Sequence, residues 1–330
     1  MKTILVTGGA GYIGSHMAEH LIENGYNVIV LDNLCEGHKE AIPTQCISII
    51  GDFGDKNLLE QIFSQNHIDA IMHFAAYASV PDSVVRPNIY YNNNVSNLIT
   101  LLDTALTYNV KNFIFSSSAA TFWESETGIF NDEHPQKPIN PYGYTKLVGA
   151  HILQDYHKAF GLNYCAFRYF CAAGGSKSGN IGEAHFPETH VIPVLLDRAI
   201  KDETFFIFGD DYNTPDGTCI RDFIHVLDIV EAHRLALEQM LNSFDYAEEF
   251  NLGSEKGYSI KDLITTASKI LNKEIKYEVK ARRPGDPAIL IANSNKAFRK
   301  LNWTPIHSSL EEILTDALRW RQNRKYWKHF

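Results

Sequence analysis

The sequence has no long apolar run. Spanning a bilayer takes about 20 consecutive apolar residues, and no stretch of this chain reaches that. The run Met1–Thr7 that leads into the first glycine loop is too short for the apolar core of a signal peptide. Neither a membrane nor a secretory route is expected. Cysteine is sparse. Cys35, Cys46, Cys165, Cys171 and Cys219 are odd in number, irregular in spacing and without a Cys-x-x-Cys pair, which argues against a disulfide framework and for a reduced, cytoplasmic protein. A basic excess is also missing. Thirty basic residues against 39 acidic ones leave a net charge of -9, so no broad positive field draws in nucleic acid or an anionic membrane. A few placed arginines could still hold an anionic small molecule. The 14 histidines are scattered singly, and none is read as part of a ligand cluster, so no metal is expected. Internal repeats, low-complexity tracts and long linkers are absent.

What remains is an ordinary globular composition, 45% apolar and 21% charged over 330 residues, enough for one large or two smaller domains. Short apolar runs at Thr3–Thr7, Asn27–Leu31, Cys46–Ile50, Ala70–His73, Asn112–Ser116 and Asn163–Phe167 read as strands buried on both faces. Between them Ile13–Asn24, Lys56–Gln65, Asn93–Tyr108 and Tyr142–Phe160 carry helical spacing. This alternation predicts an α/β fold with a doubly wound parallel (Rossmann) sheet over residues 1–170. After about residue 170 the elements are mixed. Helices are expected near Ile192–Lys201, Ser259–Leu271 and Ser308–Arg321, a strand at Thr204–Phe208 and a loop at Asp210–Thr218. Residues 171–330 therefore read as a smaller C-terminal α/β substrate-binding domain. Phe223–Met240 is strand-then-helix again and a candidate to return to the main sheet.

Two ends of the first region carry chemistry. Gly8, Gly11 and Gly14 lie three apart in Thr7-Gly8-Gly9-Ala10-Gly11-Tyr12-Ile13-Gly14, after a strand and before a helix. Glycine lets the backbone turn tightly and approach a pyrophosphate, while the helix start offers free N–H groups. A glycine triplet alone is weak evidence; here an acid, Asp32, follows at the end of the next strand, placed to accept from a ribose hydroxyl pair. Asn33 and Leu34 come next, with no arginine close by. A 2'-phosphate would meet a carboxylate without a cation, so NAD is expected rather than NADP. Gly51-Asp52-Phe53, after the third strand, is a candidate contact to the adenine.

Tyr142 and Lys146 form Tyr-x-x-x-Lys, which puts both side chains on one helix face. An ammonium there can stabilise a tyrosinate and bring the phenol within reach of base chemistry near neutral pH. The pair means little by itself, yet of the 16 tyrosines only Tyr142 has a lysine four later. It also falls after the fifth strand, which ends Ser116-Ser117-Ser118, where ligands bind in such sheets. Turn-forming serines and a surface tyrosine are the bland alternative.

Taken together, these motifs resemble the extended short-chain dehydrogenase/reductase family. Further stretches narrow the resemblance to the UDP-glucose (UDP-galactose) 4-epimerases. These are His73-Phe74-Ala75-Ala76, Tyr90-Tyr91-Asn92-Asn93-Asn94-Val95, Arg168-Tyr169-Phe170, Arg221-Asp222-Phe223-Ile224-His225-Val226 and Arg282-Arg283-Pro284-Gly285-Asp286. The resemblance implies Tyr142 as the base for the sugar C4 hydroxyl, Ser118 as its partner at O4, and Lys146 as a ligand of the nicotinamide ribose. It implies a tightly held NAD contacted, besides the residues above, by Tyr12, Ile13, Asn33, Asp52, Phe53, Phe74, Ala75, Ala76, Asn93, Ser116 and Tyr169. It implies a UDP-sugar substrate held by Ser118, Tyr142, Cys171, His190, Phe206, Arg221, Arg283 and Asp286, the arginines on the diphosphate, with Leu290 walling the sugar's C2 substituent. A homodimer through the helices Asn93–Tyr108 and Tyr142–Phe160 is implied as well.

Three departures bear on affinity and substrate choice. Cys171 stands where the family usually has an asparagine against the substrate phosphate, Ala78 where some relatives carry a lysine, and Thr121-Phe122-Trp123 where Val-Tyr-Gly or Thr-Tyr-Gly is common. A UDP-N-acetylglucosamine 4-epimerase is the alternative reading. A 4,6-dehydratase would need an Asp-Glu pair after the strand-five serine, where this chain has Ala119-Ala120. A non-catalytic NAD-sensing protein would be expected to have lost Tyr142 or Lys146.

Overall fold

The computed structural model describes residues 1–123, 125–283 and 285–323. Its strands are β1 Thr3–Thr7, β2 Asn27–Asp32, β3 Ile47–Ile50, β4 Ala70–His73, β5 Asn112–Ser118, β6 Ile129–Phe130, β7 Asn163–Tyr169, β8 Cys171–Ala173, β9 Phe205–Phe208, β10 Ile220–His225, β11 Ala247–Leu252, β12 Gly257–Ser259, β13 Tyr277–Lys280 and β14 Ile289–Ala292. They fall into two compact units.

The first unit takes Met1–Trp123, Glu133–Arg168 and Val230–Phe250. Its seven-stranded sheet runs β11-β7-β5-β4-β1-β2-β3. The pairs β1–β2, β1–β4, β2–β3 and β4–β5 are parallel, in register Leu5↔Ile29 and Leu5↔Ile71 through the centre. The central strands are apolar and β-branched, and Ile4, Leu5, Val6, Ile71 and Met72 are fully buried, as a sheet covered on both faces requires. The strand order reverses at β1, the crevice position where such sheets bind ligands.

The expectations need correction in three places. The Cys46–Ile50 run is not buried: Ile47 and Ile50 are 57% and 48% exposed, because β3 is the outer strand of the sheet. The helix expected over Asn93–Tyr108 opens as a π-turn at Asn92–Ser96 and is α-helical only over Asn97–Thr107. Finally, the strand opening Phe223–Met240 lies in a second sheet, while the helix that follows returns to the first unit from Val230 on. The edge next to β7 is taken by β11, whose half-polar sequence Ala-Glu-Glu-Phe-Asn-Leu hid it from a search for apolar runs.

The second unit takes the described residues of 124–132, 169–229 and 251–330. One sheet runs β12-β10-β14-β6, with β8 pairing β10, and a separate parallel pair joins β13 to β9. Its own core gathers Leu195, Leu196, Phe223, Leu263, Ile313 and Leu314.

Candidate functional site

The site is assembled from strand ends and helix starts. The helix Tyr12–Glu23 begins at Gly11, which offers no capping side chain, and a helix start of this kind attracts an anion. The glycines are demanded by space. Gly8 has a φ of +73°, and a Cβ there would lie 2.5 Å from the Ala75 nitrogen; a Cβ on Gly14 would lie 2.1 Å from the Gly8 carbonyl oxygen. Beside this cradle Asp32 is buried. Its carboxylate accepts from the N–H of Ala10 at 2.9 Å and of Leu34 at 2.8 Å, one bond per oxygen. Each oxygen keeps a lone pair for a hydroxyl donor, and among the described residues no basic side chain pairs with Asp32. This donor and acceptor set fits a dinucleotide with a free ribose diol.

Around the cradle, the Phe74 and Ala75 N–H groups both donate to the Thr7 carbonyl, which fixes the turn that carries Ala76. Asp52 accepts from Gly54 N at 2.7 Å, Asn33 Nδ2 at 3.0 Å and Asn97 Nδ2 at 3.2 Å. The Phe53 side chain is buried in the first core, edge-on to His73 at 4.9 Å, so it is the backbone that Phe53 offers to an adenine.

The chemical residues sit at the start of the helix Pro141–Phe160. Asn140 caps it, accepting from the Gly143 N–H at 2.8 Å, and Pro141 takes the first helical position, where its missing N–H costs nothing. Tyr142 thus lies in the first turn, with Lys146 one turn on. Ser118 ends β5 and its hydroxyl oxygen accepts from Ala120 N at 3.1 Å. Ser118 also acts on the Tyr142 phenol, pulling its pKa down. Burial pushes it up more strongly, and the net direction is upward. Lys146 is buried. Its ammonium donates to the Ser116 carbonyl at 2.6 Å and lies 6.0 Å from the centre of the Tyr142 ring. Burial pulls Lys146 down to about 7. Desolvation of the phenol dominates here, and Ser118 is the group that opposes it.

Two residues that the sequence motifs contain without assigning them a role support this arrangement. Asn94, in the π-turn, donates to the Thr145 hydroxyl at 3.0 Å and to the Tyr77 carbonyl at 3.0 Å, and accepts from Tyr77 N and from Asn93 Nδ2. It ties the Tyr142 helix to the loop after β4. The run of three asparagines, Asn92 to Asn94, was the available signal. His73 is buried, and its Nδ1 lies 2.7 Å from the Thr7 hydroxyl, joining β4 to β1 where the glycine loop starts. Burial, then the charge of Lys146, holds it down at about 3, so the ring is neutral.

The second unit holds the residues read as substrate ligands. Cys171 pairs with Phe223 in the β8–β10 register, and burial lifts its thiol to about 12, so it stays protonated. Arg221 and Leu290 are directly paired in the parallel β10–β14 register. Arg221 is nearly buried and forms an ion pair with Asp286, so these two candidates neutralise one another. Arg283 is exposed and stacks over Phe208 at 4.0 Å; Pro284 lies outside the described residues. Phe206 is flanked by Arg198 and Lys280 at 4.9 and 4.7 Å from its ring centre. His190 belongs to a different constellation: its Nδ1 lies 2.9 Å from Glu183 and 3.1 Å from Glu188, beside His185. The histidines are thus not all scattered, because a loop folds two of them onto two carboxylates.

The comparisons with known proteins agree with this layout. The model of the NAD dependent epimerase/dehydratase family matches residues 4–253. A UDP-glucose 4-epimerase of Lactobacillus helveticus is 44% identical over 97% of each chain. A crystal structure of a UDP-glucose 4-epimerase superposes over 100% of both chains with a TM-score of 0.96 at 44% identity. A third relative, the UDP-glucose 4-epimerase of Bifidobacterium longum in complex with NAD+ and UDP, has a TM-score of 0.91 at 33% identity and covers 98% of each chain. On this family match, full-length identity and shared fold, the chain belongs to the NAD dependent epimerase/dehydratase family.

Proposed function

We propose that this enzyme interconverts UDP-glucose and UDP-galactose by inverting the sugar's C4 through a 4-keto intermediate. The observation that carries this reading is the Ser118–Tyr142–Lys146 arrangement beside the glycine cradle. NAD, when bound, supplies the hydride acceptor and donor at C4. The helix start after Gly11 holds its pyrophosphate and Asp32 its adenosine ribose. Tyr142 takes the C4 hydroxyl proton and later returns it. Ser118, its own oxygen already engaged by Ala120 N, steers a hydrogen bond toward Tyr142 and O4. Lys146 holds positive charge near the phenol and binds the nicotinamide ribose. The first unit thus carries cofactor and chemistry, and the second recognises the UDP-sugar. Arg283 is available to the diphosphate, and Arg221 becomes so by exchanging Asp286 for phosphate.

The identities of its full-length relatives support the same substrate class. Leu290, of middling size, supports a preference for UDP-glucose and UDP-galactose over the N-acetylated pair. The active form is a homodimer, a reading supported by the exposed apolar side chains Ile99 and Tyr144, and it works in a reducing compartment, a reading supported by five free cysteines. Incubating the purified protein with UDP-galactose and separating the products by chromatography tests the reaction. UDP-glucose should accumulate to equilibrium without added cofactor; recovery of unchanged UDP-galactose, or of a dehydrated 4-keto sugar, overturns it.

A further inference from the structure

Glu183, His185, Glu188 and His190 form an Glu-x-His-x-x-Glu-x-His run in the loop before the helix Val191–Lys201. One donor atom from each lies within 4.8 Å of all the others, the one such mixed group among the described residues. Both histidines turn the same nitrogen inward. His190 Nδ1 lies 2.9 Å from Glu183 Oε1 and 3.1 Å from Glu188 Oε1. His185 Nδ1 lies 3.5 Å from Glu183 Oε1 and 3.9 Å from Glu188 Oε2. Four ligands held at zinc's bond lengths of about 2.0–2.2 Å sit roughly 3.3–3.6 Å apart on a tetrahedron, and these separations bracket that edge.

The decisive feature is His185. Its Nδ1 is buried and makes no hydrogen bond of good geometry, although it points at two carboxylates. A proton can serve His190 with either glutamate at a normal hydrogen-bond length, but His185 Nδ1 meets Glu183 only at a long 3.5 Å and Glu188 at 3.9 Å. A small divalent cation would serve all four atoms at once. The shell around the cluster is built to hold it. Arg321, itself buried, contacts Glu188 Oε2 at 3.2 Å and Asp197 at 2.9 Å, the N–H groups of Thr189 and His190 both donate to Glu188 Oε1 at 3.0 Å, and the Trp320 indole N–H donates to the Glu183 carbonyl at 3.0 Å. Outer partners of this kind fix ligand orientation.

We propose that these four side chains bind one Zn2+ or a similar borderline cation per chain. Two imidazoles and two carboxylates suit zinc or cobalt(II) better than calcium or magnesium, which take all-oxygen shells. Four protein ligands close the coordination sphere, so the ion is structural: it pins the loop 183–190 to the start of the following helix. His190 is then a metal ligand rather than a substrate contact. The proposal is independent of the epimerase reading, since it needs no substrate.

The test uses the untagged full-length protein with its bound NAD, stripped by chelator and dialysed. Zn2+ alone is titrated by calorimetry and Co2+ alone by visible absorption. One Zn2+ per chain and the intense d–d band of tetrahedral Co2+ are expected, with Zn2+ raising the thermal midpoint. His185→Ala and Glu183→Gln should weaken Zn2+ by more than the roughly 10–100-fold typical of outer-shell changes, and abolish the Co2+ band. His185→Cys should keep a tetrahedral Co2+ spectrum shifted by thiolate, which guards against a variant that merely misfolds. Wild-type protein that takes up no Zn2+, or takes up as much as His185→Ala with the same affinity, reduces the cluster to an ion-pair network and overturns the proposal.

Discussion

Tyr142 shows how little residue identity says without its surroundings. A phenol that burial pushes up is a poor base by itself; on the proposed mechanism its use depends on Ser118, which pulls it down, and on Lys146 one turn away. Tyr142→Phe keeps the ring's packing and removes only the proton carrier. Turnover should fall by at least about a hundredfold, the usual scale for a general acid/base, while binding of UDP-sugar changes little. Steady-state kinetics with a UDP-binding titration checks both, and near wild-type turnover would remove Tyr142 from the chemistry. Leu290 acts by bulk instead. Paired with Arg221 and partly exposed, it is placed to meet a sugar only if the UDP group engages Arg221. Apolar walls discriminate by about 10–200-fold at most. Leu290→Ser should raise kcat/KM for the UDP-N-acetylglucosamine pair relative to UDP-glucose, and Leu290→Tyr should lower it. Ratios equal in all three proteins would mean that another residue sets the choice.

Among the elements, β10 matters most for the second unit, and Asp222 is what holds it. One carboxylate oxygen accepts from Ser254 N at 2.8 Å and the Ser254 hydroxyl at 2.6 Å; the other accepts from Glu255 N and Ala292 N, both at 3.1 Å. Burial lifts this carboxyl to about 6 against those four donors. The network ties β10 to the loop after β11 and to β14, and so sets the Arg221–Leu290 register. Asp222→Asn puts an amide N–H against backbone N–H groups in a buried place. That should cost about 1–3 kcal/mol, the price of a buried unsatisfied donor. The second unit should lose its denaturant resistance first, seen as earlier hydrogen exchange at β10 and β14. An unchanged exchange pattern would show that the carboxylate is dispensable. The helix Pro141–Phe160 makes the same point from sequence: its Asn140 cap, Pro141 start and Gly161 stop, at a φ of +67°, are all local signals.

At the scale of the whole molecule, each unit has its own core, and the first leaves part of its helical surface uncovered. Tyr91, Ile99, Tyr144 and Phe160, on or beside the helices Asn97–Thr107 and Pro141–Phe160, are 37–54% exposed. Exposed apolar side chains of this size on neighbouring helices favour a protein partner, and a symmetric second copy is the commonest one. Light scattering at micromolar concentration should give twice the monomer mass, and Ile99→Glu with Tyr144→Glu should halve it. A wild-type monomer would defeat the dimer.

The sequence by itself determined the alternating core of the sheet, the glycine cradle, the acid at the end of β2 and the Tyr-x-x-x-Lys pair. Each rests on local geometry: short continuous apolar runs, the missing Cβ, a helix turn of 3.6 residues. Tertiary structure decided what depends on distant partners. It placed the polar strand β11 at the sheet edge, left β3 exposed on the other side, and put β10 into a second sheet. It paired Arg221 with Asp286 across 65 residues, buried the Tyr142 phenol against Ser118, and brought Glu183, His185, Glu188 and His190 together. That last group was local in sequence yet hidden, because only the folding of the loop decides whether neighbouring side chains point at one another or at water.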